Sequence, residues 1–240
     1  MYLELIEDIA KLTFIIGSLY FALNTYIRYK QPTLSNLLHR RRLTILFVLI
    51  VVTTALKVTE DVLGGESGPV DEAILWFIHN HVPTTLIWIF ETITLTGSLY
   101  ILIPLSITAA TVMLVTKMRF EVLLLISSLF SGAIVVYVIK TVVGRARPTL
   151  WDTEWYWGAS FPSGHTLLVA VFATSIALIV DSNWPAKRWL AFSIAFIWII
   201  FVALSRLVLG VHWPSDVLAA MCIGVFIPLV ASALIKLRYA

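Results

Sequence analysis

The stretch "SFPSGHTLLVAVFATSIALIV", residues 160–180, joins a short polar segment to an apolar one. The apolar part approaches the ~20 residues that a helix needs to cross a bilayer. Directly before it, residues 162–165 are a proline, a serine, a glycine and a histidine. A turn needs the proline and the glycine but not the histidine. This helix start therefore indicates a task beyond turning the chain, and two other stretches share that property.

Hydrophobic residues make up 60% of the 240 residues and charged residues only 13%, against roughly 25% charged residues in soluble domains. Several apolar runs are long enough to span a bilayer. These features predict an all-α fold, a polytopic transmembrane helical bundle. The single cysteine, Cys222, excludes an internal disulfide. The start, "MYLELIEDIAKL", is acidic where a signal peptide carries positive charge.

Hydropathy predicts about seven spanning helices, near 9–28, 43–62, 98–116, 120–140, 164–181, 189–209 and 216–236. The apolar run at 86–115 would be ~45 Å long as one helix, which exceeds the membrane core. We therefore expect a break at the "TLTGS" of 94–98, with a short helix at 85–94 that leads into the membrane.

The placement of Lys and Arg predicts the orientation, because loops rich in these residues stay in the cytoplasm. With seven spans, eleven of the seventeen basic residues fall on one side, five of them in the first loop at 28–42. An even number of spans would break this alternation. The N-terminus is then outside, and so are the remaining six: Lys11, Lys57, Lys140, Arg145, Arg147 and Arg206.

Four of the six outer cations cluster in "KTVVGRARPT" at 140–149 and "SRLVLGVHWPSD" at 205–216. Ionisable residues at membrane depth cost about 2.5–3.5 kcal/mol each, so Lys140, Arg147 and Arg206 require an explanation. One explanation is that the long side chains reach the headgroups. The other is a bound phosphate, which arginine contacts bidentately and lysine as a point charge. Only the second accounts for the histidines that accompany them.

The "PSGH" segment suits the same anion. Gly164 lets the backbone approach a ligand closely, and free N–H groups at a helix start favour an anion. Ser163 has a hydroxyl to donate, although an ordinary N-cap is the alternative for it. His212 and Asp216 are four residues apart and share one face of a helical turn.

The spacing of His212 and Asp216 suits either a structural hydrogen bond or a catalytic pair. In a catalytic pair, Asp216 accepts from one imidazole nitrogen and leaves the other free as a nucleophile. His165 would then be the general acid, since the ordinary histidine pKa of about 6.5 lies near neutral pH.

Together these segments resemble the three signature motifs of the type 2 phosphatidic acid phosphatase superfamily, which includes lipid phosphatases and vanadium haloperoxidases. The family pattern is K-x6-RP, PSGH and SR-x5-H-x3-D. This chain matches every fixed position over 140–216 with the spacings intact. The helical layout extends the resemblance to roughly 84–240.

The resemblance implies a role for each matched residue. His212 would attack phosphorus and form a phosphohistidine, with Asp216 orienting it. His165 would protonate the leaving group and later help to activate water. Family members work without a metal, so no cofactor is expected. The phosphoryl oxygens would be bound by Lys140, Arg147, Ser163, Gly164 and Arg206.

One feature departs from the family pattern. Its members commonly carry six spanning helices, three of them before the first motif, whereas four are predicted there in this chain. We therefore divide the chain into an N-terminal helical hairpin with a basic cytoplasmic loop, 1–63, and a lipid phosphatase-like core, 64–240.

Four further features lie outside the fixed positions of the motifs. Residues 70–80 are predicted to form an amphipathic helix in the membrane interface, either a connector or part of the substrate's access route, with one face formed by Ile74, Phe77 and Ile78. Arg145 either contacts phosphate or faces lipid headgroups, and the second is favoured. His79 and His81 are expected to face solvent rather than to hold a metal. An aromatic belt at the interface is predicted at Trp151, Trp155, Tyr156 and Trp157.

The sequence thus predicts an integral lipid phosphatase of the cell (inner) membrane, with its active site on the extracytoplasmic side. Undecaprenyl diphosphate, phosphatidylglycerol phosphate, phosphatidic acid and lipid A phosphate all suit the motifs, which contact only the part that these lipids share. Family frequency favours undecaprenyl diphosphate or a glycerophospholipid phosphate. No nucleic-acid partner is expected, and the oligomeric state is left open. The alternatives are a lipid phosphotransferase that uses the same histidine and an anion or lipid transporter.

Overall fold

A computed structural model of the chain describes residues 2–30, 42–151 and 158–239. These ranges form nine α-helices and no strand, which confirms the predicted all-α class. In chain order the helices are α1 Tyr2–Lys30, α2 Arg42–Gly64, α3 Gly68–His81, α4 Ile87–Thr96, α5 Leu99–Val115, α6 Arg119–Val143, α7 Gly164–Asn183, α8 Arg188–Val208 and α9 Pro214–Tyr239. Outside the described residues lie two basic residues of the predicted cytoplasmic loop, Arg40 and Arg41.

A helix lies at each of the seven predicted span positions. Within the described ranges, α2, α6, α7, α8 and α9 are long and apolar enough to cross a membrane, and the bent pair α3–α4 would add a sixth span. Helix α5 is apolar but has 17 residues, or about 25 Å against a hydrocarbon core of ~30 Å. The count of seven spans and the sidedness of the chain stay predictions.

The predicted break in the long apolar run is present. Gly97 and Ser98 separate the short helix α4 from α5. A Cβ on Gly97 would lie 2.8 Å from Val202 of α8 and 3.2 Å from Val169 of α7. Close packing against two other helices therefore requires a residue without a side chain at this break.

Helix α3 packs against α8 and α9. Pro69 lies in its first turn, where the N–H that proline lacks would have no helical partner. The helix meets the segment that contains α4 at 91°. Ile74 and Phe77 are exposed, as a face turned toward lipid would be, whereas the side toward the bundle buries Asp71 and Leu75.

Helix α7 forms the centre of the bundle and packs against α6, α8 and α9. Within an apolar stretch of 18 residues in α7, 61% of the residues are buried, a larger share than in the corresponding stretches of α2, α6, α8 and α9. A Cβ on Gly224 of α9 would lie 2.6 Å from Ala170 and from the Leu167 carbonyl oxygen of α7. Small residues at such contacts are typical of membrane helix pairs.

The two N-terminal helices pack on the outside of this group. Helix α2 packs along α9, and α1 packs on α2. The division of the chain at residue 63 remains a prediction.

The order of the helices brings four helix ends together. The backbone N–H of Ser163, before α7, donates to the Asp216 carbonyl in the first turn of α9 (3.2 Å). Helices α6 and α8 run toward this end of the bundle, and α7 and α9 run away from it. The three motifs lie at these four ends, so the fold brings them to a single site.

Candidate active site

Hydrogen bonds to backbone carbonyls hold the loop that follows α6. The helix is terminated by Gly144, whose left-handed conformation (φ 61°) suits a residue without Cβ. The Ser160 N–H donates to the Arg145 carbonyl (2.8 Å), and the Ser160 hydroxyl donates to the Ala146 carbonyl (3.0 Å). The residues before α7 are thereby joined to those after α6, and both motif segments keep a defined position.

The structure pairs His212 with Asp216. Asp216 Oδ2 lies 3.3 Å from His212 Nδ1 and accepts a hydrogen bond from the Trp213 N–H (2.9 Å). At the other edge of the ring, His212 Nε2 lies 3.3 Å from a guanidinium nitrogen of Arg147. When Nδ1 carries the proton toward Asp216, Nε2 keeps its lone pair and faces the cation. Both side chains are buried, with His212 2% and Asp216 0% exposed.

Burial lowers the pKa of His212, because desolvation disfavours the charged imidazolium. The hydrogen bond to Asp216 acts in the opposite direction, and the positive charges of Arg206 and Arg147 lower the pKa further. His212 is therefore neutral near pH 7. The neutral ring is the form in which a histidine nitrogen acts as a nucleophile.

Arg147 lies beside this pair. Its Nε donates to the Gly158 carbonyl (3.1 Å), and Nη1 donates to the Val211 carbonyl (2.8 Å) as well as facing His212. Arg147 thus joins the loop before α7 to the loop before α9. The same planar fork suits a phosphate placed next to His212.

Lys140 and Arg206 also lie at the site. The Lys140 ammonium donates to the Ala159 carbonyl. Arg206 is 1% exposed and donates to Thr94 Oγ1 of α4 (2.6 Å). His165 is the second residue of α7. Its ring lies close enough for electrostatic interaction with four other predicted site residues, Arg206, His212, Arg147 and Lys140. The structure therefore brings together both predicted histidines and all three predicted cations.

Ser163 and Gly164 occupy the start of α7. Ser163 is the N-cap residue, but its side chain makes no capping hydrogen bond and its hydroxyl lies 3.1 Å from Thr166 Oγ1. A Cβ on Gly164 would lie 3.7 Å from Val136, which is an ordinary contact. Packing within the protein therefore does not require glycine at 164.

Arg145 does not face the lipid headgroups, and that expectation is wrong. Its side chain is 16% exposed. Nη1 donates to Asp216 Oδ1 and Ser215 Oγ (2.7 Å each), and Nη2 donates to Asp71 Oδ2 (2.7 Å) and Ser67 Oγ (3.0 Å). Arg145 is drawn inward because two buried carboxylates need a counter-charge.

Sequence reasoning missed Asp71 and Thr94. Asp71 Oδ1 accepts the Ser215 N–H (2.9 Å), and Oδ2 accepts the Ser215 hydroxyl (2.5 Å). Asp71 and Ser215 are 144 positions apart, and Thr94 and Arg206 are 112 apart. The available signal was weak, since an acidic residue in a predicted surface helix ordinarily faces water.

Histidine and aromatic side chains lie at the edge of the site. His79 and His81 are exposed, as expected. The His79 ring stacks on Trp151, with centroids 4.1 Å apart. Trp151 also lies over Gly210, where a Cβ would come within 2.7 Å of the indole. Within the described ranges, no group of three His, Cys, Asp or Glu side chains is arranged to hold a metal ion. Outside those ranges lie the other members of the predicted belt, Trp155, Tyr156 and Trp157.

Comparisons with known proteins identify the family. The model of the PAP2 superfamily matches residues 121–239, a range that contains all three motifs. This part of the chain belongs to the PAP2 superfamily. The resemblance drawn from the three motifs is therefore confirmed, and the PAP2 match also covers the four helices whose ends form the site.

Similar curated proteins carry the names of lipid phosphatases. Over 67 residues, 28% of this chain, the sequence is 43% identical to phosphatidylglycerophosphatase B of Escherichia coli (strain K12), and the match spans 25% of that protein. Over 188 residues, 75% of this chain, it is 26% identical to the undecaprenyl-diphosphatase of Sulfolobus acidocaldarius, covering 86% of that protein. The stronger local identity thus involves only a quarter of the Escherichia coli protein.

A solved PAP2 structure has a similar fold. It is a transmembrane PAP2 type phosphatidylglycerolphosphate phosphatase from Bacillus subtilis, with a TM-score of 0.71 and 22% identity. The similarity covers 79% of this chain and 97% of that chain. At this identity the likeness concerns the fold alone. The apolar helices and this shared fold together indicate a multi-pass membrane protein.

Proposed function

We propose that the chain is a membrane lipid phosphatase that hydrolyses a phosphate or diphosphate monoester of a bilayer lipid. The observation that carries this proposal is the environment of His212, a buried imidazole held between Asp216 and Arg147. A merely structural His–Asp hydrogen bond does not require a guanidinium at the other ring nitrogen. Membership of the PAP2 superfamily supports the same reaction class.

The first step transfers the phosphoryl group to the protein. The lone pair of His212 Nε2 attacks phosphorus, and the bond from phosphorus to the lipid-side oxygen breaks. Asp216 keeps the Nδ1 proton in place and stabilises the positive charge that develops on the ring. His165 donates its proton to the departing oxygen. The products are a phosphohistidine and a lipid alcohol or, from a diphosphate, a lipid monophosphate.

The second step returns the protein to its starting state. The neutral His165 accepts a proton from water as the water oxygen attacks phosphorus, and the N–P bond breaks. Inorganic phosphate leaves, His212 regains its lone pair, and His165 has recovered its proton. In both steps the charge on the phosphoryl oxygens would be stabilised by preorganised donors, namely Lys140, Arg147, Arg206, the Ser163 hydroxyl and the Gly164 N–H.

The substrate is proposed as a class. The two relatives are named for different lipids, and the residues around His212 would contact only a phosphoryl group. Undecaprenyl diphosphate, phosphatidylglycerol phosphate, phosphatidic acid and lipid A phosphate therefore all belong to the proposed class. The excess of Lys and Arg in alternate loops supports an active site on the extracytoplasmic side of the cell membrane.

The test is phosphate release by the purified protein in detergent, with EDTA present, across these four lipids. The wild type and the variants His212→Ala and His165→Ala are compared with His81→Ala, which changes an exposed histidine. We expect release from at least one lipid in the wild type and in His81→Ala. Loss of the nucleophile should reduce it by at least about 10³-fold.

Two results would contradict the proposal. Substantial release by His212→Ala would exclude this histidine as the nucleophile. Loss of activity in EDTA that added metal restores would exclude a metal-independent reaction. If the phosphoryl group appeared instead on an added lipid alcohol at the expense of free phosphate, the protein would be a phosphotransferase that uses the same first step.

A further inference from the structure

Asp71 of α3 is a buried acidic residue that lies outside the motifs and outside the family match at 121–239. It is 2% exposed, and both of its carboxylate oxygens are used. Oδ1 accepts the N–H of Ser215, and Oδ2 accepts the Ser215 hydroxyl and an N–H of Arg145. The first of these bonds satisfies a free donor at the start of α9, where a negative charge is also favoured. Asp71 therefore holds the turn of α9 that carries Asp216.

Arg145 connects Asp71 with Asp216 through the two ends of one guanidinium. Nη2 faces Asp71 and Nη1 faces Asp216, at 2.7 Å each. Because the guanidinium is planar and rigid, a carboxylate at each end determines its orientation between them. Arg145 in turn occupies Asp216 Oδ1, so that Oδ2 remains for the His212 ring. The position of the Asp216 carboxylate, which orients the His212 ring, thus depends on Asp71 of helix α3.

We propose that Asp71 is a positioning residue for phosphoryl transfer, which acts through Arg145 and Ser215 to hold Asp216 in the orientation that His212 requires. This inference rests on the proposed function. It assigns α3 a role in catalysis beyond connecting two spans. Groups that orient the ligands of metal sites typically change activity about 10- to 100-fold when they are replaced, and we expect an effect at the lower end of that range.

The test compares Asp71→Asn with Glu72→Gln, which removes the same charge from an exposed neighbour on the same helix. The measurements are kcat and KM for a lipid phosphate that the wild type hydrolyses, together with the thermal unfolding midpoint in detergent. We expect Asp71→Asn to lower kcat roughly tenfold and to leave KM within about twofold, because it contacts no part of the substrate. Glu72→Gln should match the wild type in both constants.

A double-mutant cycle separates positioning from a general structural role. If Asp71 acts through Arg145, then Asp71→Asn should lower kcat little further in a protein that already carries Arg145→Gln. If Asp71 only supports folding, the two losses should multiply. Ser215→Ala provides a milder variant, since it removes the hydroxyl between Asp71 and Arg145 and keeps both charges. It should lower kcat in the same way with KM unchanged.

Each result decides the inference. Three results would overturn it. The first is an unchanged kcat in Asp71→Asn, and the second is a pair of losses that multiply in the cycle. The third, if Asp71→Asn does not fold, is an unchanged kcat in Ser215→Ala. All of these leave the proposed function intact, because the wild type still releases phosphate. A wild type that hydrolyses none of the lipids would overturn the proposed function and this inference together.

Discussion

The buried pairing of Arg145 with two carboxylates makes Arg145→Gln the most direct test of the site's electrostatics. Glutamine keeps an N–H donor, on a shorter side chain, but removes the positive charge. In the wild type, Nη1 and Nη2 of Arg145 each lie 2.7 Å from a carboxylate oxygen, of Asp216 and Asp71 respectively. After the substitution, these two buried carboxylates lose their shared counter-charge.

The size of the effect follows from the burial of the three groups. The Asp71 and Asp216 side chains are 3% and 0% exposed, and the Arg145 side chain is 16% exposed. Removal of one partner of a buried ion pair costs about 3–5 kcal/mol. We expect the lower value, about 3 kcal/mol, because the site is partly open to water at Arg145, whose side chain is 16% exposed. In a protein of this size, 1 kcal/mol changes the unfolding midpoint by about 2–4 °C, so the midpoint should fall by roughly 6–12 °C.

The assay is thermal unfolding of the purified protein in detergent, followed by circular dichroism. Arg188→Gln is the matched control, because Arg188 is exposed and its guanidinium lies over the ring of Trp189. Exposed interactions of this kind contribute at most about 1 kcal/mol. The double variant Arg145→Gln/Asp71→Asn should unfold at a higher temperature than Arg145→Gln alone, because only one unpaired carboxylate remains.

Two outcomes would contradict this prediction. If Arg145→Gln unfolded at the same temperature as Arg188→Gln, the two carboxylates would not depend on Arg145 for their burial. If the double variant were less stable than Arg145→Gln, then Asp71 would stabilise the fold by contacts other than its charge on Arg145. The hydrogen bonds from Asp71 to Ser215 would be the first alternative to examine.

Three further perturbations test other parts of the site. Gly210→Ala should lower the unfolding midpoint, because this residue has φ 66° and a Cβ would lie 2.7 Å from the Trp151 ring. Thr94→Val should lower kcat/KM at least roughly tenfold, since it removes the acceptor of a 2.6 Å hydrogen bond from Arg206, and such bonds to charged groups contribute about 1.5–3 kcal/mol. Burial lowers the pKa of His212 below its ordinary value of 6.5, so the unfolded chain binds more protons below that pH. Below pH 6.5, lowering the pH should therefore reduce the free energy of unfolding of the wild type more than that of His212→Asn. The difference should grow by up to about 1.4 kcal/mol per pH unit.

Each of these predictions has a control. Gly17→Ala should not lower the midpoint, because a Cβ there meets nothing within 4 Å. Thr92→Val should keep the wild-type kcat/KM, since the Thr92 hydroxyl bonds only within its own helix, to the Trp88 carbonyl, on an exposed face. For the pH series, parallel stability curves of the wild type and His212→Asn would contradict the lowered pKa.

The helices and the motif residues were predictable because their signals are local in the chain. Each span is a continuous apolar run, and the break at Gly97 and Ser98 was visible as polar and small residues inside such a run. His212 and Asp216 are four positions apart, so their pairing follows from the geometry of one turn. The antiparallel order of the spans then places the three motifs at one end of the bundle.

The surroundings of Asp216 were not predictable, because they depend on residues far away in the chain. Arg145 meets Asp216 across 71 positions and Ser67 across 78. Hydropathy and charge pattern alone suited an arginine at the headgroups. Only the packing of α3 against α9 creates two buried carboxylates, and their need for a counter-charge decides where Arg145 lies.

Hydropathy and motif spacing are properties of neighbouring residues. They were enough to predict an all-helical membrane protein with two histidines, three cations and an aspartate in PAP2 spacing. The tertiary structure decided which further residues hold that group in place: Asp71 and Ser215 around Arg145, and Thr94 on Arg206. The physical reason is that the energy of a charge depends on its distance from other charges and on its loss of water. Both quantities exist only once the helices have packed.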